Sequence, residues 1–471
     1  MSGRVETDIC VIGAGSGGLS VAAGAVQMGA RVVLIEKDRM GGDCLNTGCV
    51  PSKALLAAAK AAHAIGAAKR FGIGAAAVEI DFAAVMRHVK GVIDSIAPHD
   101  SVERFEGLGV TVIKAAARFS GPREIMAGDK RVRAKRFVIA TGSRAAVPPV
   151  AGLDSVPCLT NETIFDLKER PGHLLVIGAG PIGLEMAQAF RRLGSRVTVI
   201  ERLVALPKDD PEMTAILVAR LAEEGIALRE RTNIASVSGG AGAIRLMLEG
   251  GETIEGTHLL VAAGRRPNVE GLGLEDAGVL HDGKGIRTDR RLRTTNRRVF
   301  AIGDVRGGAQ FTHAAGYDAG IVIRNILFRL PAKADYRALP WATYTDPELA
   351  HVGLPETEAR EKYGDAVKVL RFDYGENDRA RAERLGPGRI KLVAHKGRPV
   401  GVTIVGKDAG ELINFWAFAL ASRAKLSTIS GYVSPYPTLA EINKRVASAN
   451  FTDTLFSDRM KRIVRFLLKL G

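Results

Sequence analysis

Residues 8–18 read DICVIGAGSGG, an apolar strand that runs straight into Gly13-x-Gly15-x-x-Gly18. Leu19 to Met28 continue as a helix of small residues, and Arg31 to Ile35 form a second apolar strand ending on Glu36. Glycines at this spacing allow a tight turn, close approach of a pyrophosphate and close helix–strand packing, while the terminal carboxylate reaches a ribose hydroxyl. Gly13, Gly15, Gly18 and Glu36 are therefore candidates for holding a dinucleotide, on a parallel α/β scaffold.

The pattern recurs. Residues 173–183 read HLLVIGAGPIG, with Gly178-x-Gly180-x-x-Gly183, a helix from Leu184 to Leu193 and a strand from Arg196 to Ile200 ending on Glu201. From first glycine to terminal acid the spacing is 23 residues in both copies. Two complete fingerprints mean two dinucleotide sites. A bound dinucleotide such as FAD would then exchange electrons with a diffusible nicotinamide. Glu201 favours NADH by repelling a 2′-phosphate; Arg202, Arg191, Arg192 and Arg196 nearby keep NADPH open.

Between the fingerprints lies GGDCLNTGCVPSK, Gly41 to Lys53, which holds two of the four cysteines. Pro51 and the alanine-rich run that follows place Cys44 and Cys49 where a loop leads into a helix. Backbone N–H groups there favour a thiolate, and Lys53, one turn beyond Cys49, adds positive charge on the same side. The pair is a candidate redox couple. Cys10 and Cys158 read as isolated buried thiols, and this cysteine usage suits a reducing compartment.

A chain of 471 residues suggests about three domains, and 46 % hydrophobic with 25 % charged residues is the balance of a soluble globular protein. No secretory leader and no apolar run long enough to span a bilayer is visible, so a cytoplasmic protein is expected. The net charge of +15 is spread through the chain without aromatic interleaving, so no nucleic-acid partner is expected. Helical patterns run from Lys53 to Lys69 and from Asp81 to Phe105. A strand at Lys135–Ala140 exits abruptly into Ala140-Thr141-Gly142-Ser143, Leu259 to Asn268, LLVAAGRRPN, repeats this strand-then-glycine exit, and Arg298 to Asp304 is an apolar strand ending Gly-Asp. From about Leu339 an α+β region follows without a nucleotide motif.

In this order the motifs closely resemble the flavoprotein pyridine nucleotide–disulfide oxidoreductases, over nearly the whole chain. The resemblance implies two Rossmann-like domains and a C-terminal α+β dimerisation domain in a homodimer. Residues 1–150 and 271–338 would form the FAD-binding part, 151–270 the NAD(P)-binding domain and 339–471 the dimerisation domain. It implies that Cys49 faces the flavin and Cys44 exchanges with substrate, and that Lys53 lies near the flavin with Glu185 as its carboxylate partner. Gly13, Gly15, Gly18, Glu36, Lys53, Thr141, Gly142 and Asp304 would hold FAD, and Gly178, Gly180, Gly183 and Glu201 the nicotinamide dinucleotide.

The C-terminal region selects a branch. Lipoamide dehydrogenases and glutathione reductases carry a histidine–proline–threonine motif followed by a glutamate, the histidine protonating a departing thiol. Here the stretch reads Tyr436-Pro437-Thr438-Leu439-Ala440-Glu441. A phenol with a pKa near about 10 is a poor proton shuttle at neutral pH compared with an imidazole near about 6.5. A tyrosine there is a feature of mercuric reductases, and Thr345–Glu348, Gly388–Val393 and Ala409–Ile413 point the same way. A metal captured between Cys44 and Cys49 needs no general base. Three features depart from that branch: the chain ends Leu467-Leu468-Lys469-Leu470-Gly471 where mercuric reductases end in a vicinal cysteine pair, no metal-binding domain precedes the core, and Pro181 stands where some carry a tyrosine. The expected activity is electron transfer from NAD(P)H through FAD and Cys44–Cys49 to an acceptor, Hg(II) or another thiophilic metal. The alternatives are a dihydrolipoamide dehydrogenase-like disulfide reductase, a quinone or small-oxidant reductase, and a redox-sensing flavoprotein.

The tail, residues 459–470, reads RMKRIVRFLLKL, with Met460, Ile463, Val464, Leu467 and Leu470 on one helical face and the cations mostly elsewhere. A basic amphipathic helix lies on an anionic membrane or covers the dimer body. Packing on the dimer is the preferred expectation.

Overall fold

The computed structural model describes residues 3–74 and 79–470. They fall into two units, one made of Met1–Arg202 with Ile226–Asp335, the other of Leu203–Gly225 with Tyr336–Gly471.

The first unit is built on two parallel sheets of one design. In the larger, the strand Arg4–Ile12 lies between Val32–Glu36 and Lys130–Ile139, with Thr111–Lys114 beyond Val32–Glu36, all parallel. Val299–Ala301 pairs parallel with the C-terminal half of Lys130–Ile139, and the hairpin Ala117–Gly121/Glu124–Ala127 pairs antiparallel with its N-terminal half. The C-terminal halves of the central strands are covered on both faces, which is why they are apolar: Cys10, Ile12, Val33, Ile35, Phe137 and Ile139 are buried in one core. In the smaller sheet His173–Ile177 lies between Arg196–Ile200 and His258–Val261, with Ala227–Arg229 at the edge, again all parallel. The two sheets share one strand order around the fingerprint strand, and each fingerprint runs from that strand into a helix, Ser16–Gln27 or Pro181–Arg192.

The helical pattern expected over Asp81–Phe105 divides into Phe82–Ile96, a 3-10 turn at Ala97–Asp100 and Val102–Gly107. Pro98 is the physical reason, since it lacks the N–H that would continue the first helix.

The second unit is a five-stranded antiparallel sheet in the order Pro340–Thr343, Glu348–Gly353, Arg398–Gly406, Arg389–His395, Val367–Asp373. Its core holds Trp416, Tyr374, Ile413 and Ile442 beside the strand residues Ile390, Leu392, Val402 and Ile404. The helix Pro211–Glu223 packs on this sheet, with Met213, Leu217 and Leu221 buried. At its N-terminus the buried ammonium of Lys391 meets Asp210 at 2.7 Å, Glu356 at 2.8 Å and Glu212 at 3.0 Å. Among the described residues no helix is long and apolar enough to cross a membrane.

Candidate active site

The two fingerprint turns superimpose in their constraints. Gly13 has φ +99° and a Cβ there would lie 2.5 Å from the carbonyl oxygen of Ala140; Gly178 has φ +106° and its Cβ would lie 2.5 Å from that of Ala262. Only glycine fits a left-handed backbone pressed against the next strand exit. Gly18 and Gly183 let each helix lie on the turn, since a Cβ would come within 1.9 Å of Gly13 O and 2.0 Å of Gly178 O respectively. The middle glycines differ: a Cβ on Gly180 would meet nothing within 4 Å, and one on Gly15 only Gly42 Cα at 4.0 Å. That is the open cradle a pyrophosphate needs at a helix N-terminus.

Each terminal acid reaches back to its turn. Glu36 accepts from Ala14 N at 2.6 Å and from Asp38 N at 2.7 Å, and Glu201 accepts from Ala179 N at 2.8 Å. The residues present therefore fit two dinucleotides.

The cysteine segment is pinned to the first of these turns. Gly41 N donates to Ala14 O at 2.9 Å, Gly15 and Gly41 form a bridge, and a Cβ on Gly42 would lie 2.7 Å from Gly15 Cα. Cys44 sits inside a one-turn helix, Gly42–Asn46, where the sequence suggests only a loop; Cys49 is the first residue of the helix Cys49–Ala67. All four cysteines are free thiols. The Cys44 thiol hydrogen-bonds to Cys49, which together with Thr312 and the charge of Lys53 outweighs burial and pulls Cys49 down to about 6. The same contact, reinforced by burial, pushes Cys44 well above the ordinary thiol range. The opposite directions of the two shifts make Cys49 the sulfur that ionises first.

Sequence reading missed Thr312. Its Oγ1 lies 3.3 Å from Cys49 Sγ, and it is the first residue of the helix Thr312–Ile326. It is 263 residues from Cys49 along the chain, within no motif that would announce it.

Lys53 Nζ lies 2.7 Å from Glu185 Oε2. Glu185 is only 3 % exposed, on the helix Pro181–Arg192, which packs against Cys49–Ala67. The structure thus joins a residue of the cysteine segment to one that follows the second fingerprint.

Four motifs that are separate in sequence converge beside Cys44. Asp43 Oδ2 accepts from Arg265 at 2.9 Å, and its Oδ1 accepts from Thr47 at 2.7 Å and Asn161 at 2.8 Å. Arg265 also donates to Ser143 Oγ at 2.7 Å, and Ser143 donates to Asp304 Oδ2 at 2.6 Å. Thr141 and Gly142 are held by Asn268, which takes the Thr141 hydroxyl on its carbonyl at 2.8 Å and donates its own N–H to Gly142 O at 3.0 Å. Burial raises the Asp304 pKa, against Ser143 and Arg265, which lower it. Asp43, Ser143, Arg265 and Asn268 are further members of the site; their signal was membership of motifs read one at a time.

Tyr436 and Glu441 belong to the second unit. The Tyr436 hydroxyl, exposed, donates to Asp378 Oδ2 at 2.9 Å, and that carboxylate raises the phenol's pKa. Glu441 accepts from Arg445, one turn on, at 2.9 Å. Among the described residues no three His, Cys, Asp or Glu side chains group as a metal site.

Two nucleotide-type turns, one of them bonded to the segment that carries a pair of adjacent thiols, define a dithiol oxidoreductase. Comparison with known proteins agrees: residues 7–319 match the pyridine nucleotide-disulphide oxidoreductase family and residues 339–447 its dimerisation domain. This chain belongs to that family, which uses FAD and NAD(P)H. The dimerisation domain supports a homodimer. The mercuric reductase of Streptomyces lividans is 35 % identical over 457 residues, covering 94 % of this chain and 96 % of that one. A dihydrolipoyl dehydrogenase of Thermus scotoductus is 38 % identical over 445 residues, covering 92 % and 95 %. Among solved structures, the Cu(II) complex of the HOCl-induced flavoprotein disulfide reductase RclA of Escherichia coli has a TM-score of 0.85 at 26 % identity, covering 94 % of this chain and 99 % of that one.

Proposed function

We propose that this chain is an NAD(P)H-dependent reductase of a thiophilic metal ion, Hg(II) first among them, acting through Cys44 and Cys49 as a cytoplasmic homodimer. One observation carries the reading: Cys44 and Cys49 lie side by side as free thiols, while the residue in the histidine's place, Tyr436, has its O–H on Asp378.

FAD, when bound, would supply the two-electron relay between NAD(P)H and the cysteine pair. Gly13, Gly15, Gly18, Glu36, Thr141, Gly142, Asp304 and Lys53 are the residues assigned to it, and Gly178, Gly180, Gly183 and Glu201 those assigned to the nicotinamide dinucleotide, NADH by preference. Lys53, fixed by Glu185, keeps a positive charge beside Cys49. Thr312 donates to the Cys49 thiolate. Cys44 is the exchange thiol; on meeting a soft cation it loses its proton, and both sulfurs then bind the metal. Overall, NAD(P)H and Hg(II) give NAD(P)⁺, H⁺ and Hg(0). No leaving thiolate has to be protonated. Reduction of a disulfide substrate by NAD(P)H, by contrast, takes up a proton and needs the leaving thiolate protonated, which is served by a general acid with a pKa near neutrality. A phenol raised further by Asp378 is poorly matched to that task.

The identity to the Thermus dihydrolipoyl dehydrogenase favours the disulfide reading as second choice. The names of the mercuric reductases and the Cu(II) complex of RclA favour the metal.

Anaerobic NAD(P)H oxidation on adding Hg(II), with release of mercury vapour, tests the assignment. The wild type is expected to show it and Cys44→Ala to lose it. Equal rates in the two proteins would remove the metal as substrate of this pair.

A further inference from the structure

The tail helix Asp458–Leu467 is defined by local signals. Ser457 caps it by accepting from Met460 N at 3.3 Å, Asp458 stands in its first turn and Arg465 in its last, each on the side the helix dipole favours. Yet no residue of it is buried. On the helix, Ile463, Val464 and Leu467 are 41 %, 45 % and 56 % exposed, and Leu455, Phe456 and Leu470 beside it in the chain are exposed as well. At 100° per residue within the helix, Met460, Ile463, Val464 and Leu467 fall on one arc, with Lys461, Arg462 and Arg465 on the opposite one. Such a helix does not keep a wide apolar face in water without a partner.

Charge selects the partner. Arg459, Lys461, Arg462, Arg465 and Lys469 stand against the single acid Asp458. A second copy of this helix brings the same cluster of cations to the contact, whereas an anionic bilayer complements it. The tail also lies beyond residues 339–447, the part that matches the family's dimerisation domain. We propose that the tail helix docks on anionic lipid, its apolar arc sunk between headgroups and its cations at the phosphates. This location at the bilayer face is independent of the acceptor proposed above.

The experiment is co-sedimentation of the full-length holoenzyme with vesicles of phosphatidylglycerol and phosphatidylcholine, and with vesicles of phosphatidylcholine alone. The wild type is expected to sediment with the anionic vesicles, less as salt rises, and to stay in solution with the neutral ones. Ile463→Glu/Leu467→Glu and Arg462→Glu/Arg465→Glu are each expected to weaken binding by about tenfold or more, with NADH oxidation unchanged. Failure to bind anionic vesicles overturns the proposal. So does binding that survives Ile463→Glu/Leu467→Glu, which would belong to general basicity. If that variant instead turns a dimer into a monomer by light scattering, the face is a subunit contact and the proposal falls.

Discussion

Oγ1 of Thr312 lies 3.3 Å from Sγ of Cys49, across a gap of 263 residues in the chain. A hydroxyl in that place donates to the thiolate and helps hold it ionised, together with the Cys44 thiol and Lys53. In the reduced protein, the alkylation rate of Cys49 is expected to rise with pH through a midpoint of about 6, the first proton loss of the coupled pair. Thr312→Val should move that midpoint up, toward the ordinary thiol value near about 8.5, and slow alkylation below it roughly threefold. An unchanged midpoint would remove Thr312 from the site.

Lys53 and Glu185 form the other link across the first unit, at 2.7 Å. Lys53→Met removes the cation from a buried carboxylate; with the lysine 39 % exposed and screened by solvent, the expected loss of stability is about 1 kcal/mol. Lys53→Met/Glu185→Leu should recover the stability without recovering turnover. Recovery of both, read by thermal melting and NADH oxidation, would show the pair to be structural only.

Lys391 and Asp210 are both buried, and Lys391 also meets Glu356 and Glu212. Burial pulls the lysine's pKa down, but the three carboxylates bring it above its ordinary value. Lys391→Met leaves the buried Asp210 carboxylate, and the half-buried Glu212 and Glu356, without that cation and is expected to cost about 3–5 kcal/mol in denaturant unfolding. A cost under about 1 kcal/mol would mean that water already shares the cluster.

Glu201 accepts from Ala179 N at 2.8 Å, which fixes its carboxylate at the end of the second fingerprint. NADH is expected to be used at least tenfold better than NADPH in kcat/KM, about the effect of one like-charge repulsion at a ribose site. Glu201→Ser should narrow that ratio chiefly through KM for NADPH. A wild type that prefers NADPH would hand the site to Arg202 and its neighbours.

What was legible in the chain follows the range of its interactions. The two parallel sheets could be read because turn glycines and terminal acids recur at one spacing, and because both-face burial makes the strand ends that lead into the turns apolar. Pro98 was a visible helix breaker that the longer periodic pattern concealed. Thr312, the partnership of Tyr436 with Asp378, and the chain of contacts from Asp43 through Arg265 and Ser143 to Asp304 were not legible. Each depends on side chains brought together by folding, and a motif specifies its own backbone, not its neighbours. The grouping of Leu203–Gly225 with the C-terminal sheet has the same origin: Asp210 and Glu212 carry no sign of Lys391 in their own surroundings.

The claim at the centre of this account is that the pair works without a proton-cycling base, because the hydroxyl of Tyr436 rests on Asp378. The most direct test is the ratio of Hg(II)-dependent to lipoamide-dependent NADH oxidation, measured anaerobically at neutral pH on one preparation, for the wild type and Tyr436→His. The wild type is expected to turn over Hg(II) at least tenfold faster than lipoamide, and Tyr436→His to raise the lipoamide rate about tenfold or more, the lower range of general acid–base catalysis. A wild type that reduces lipoamide faster than Hg(II), with no gain from Tyr436→His, would contradict it.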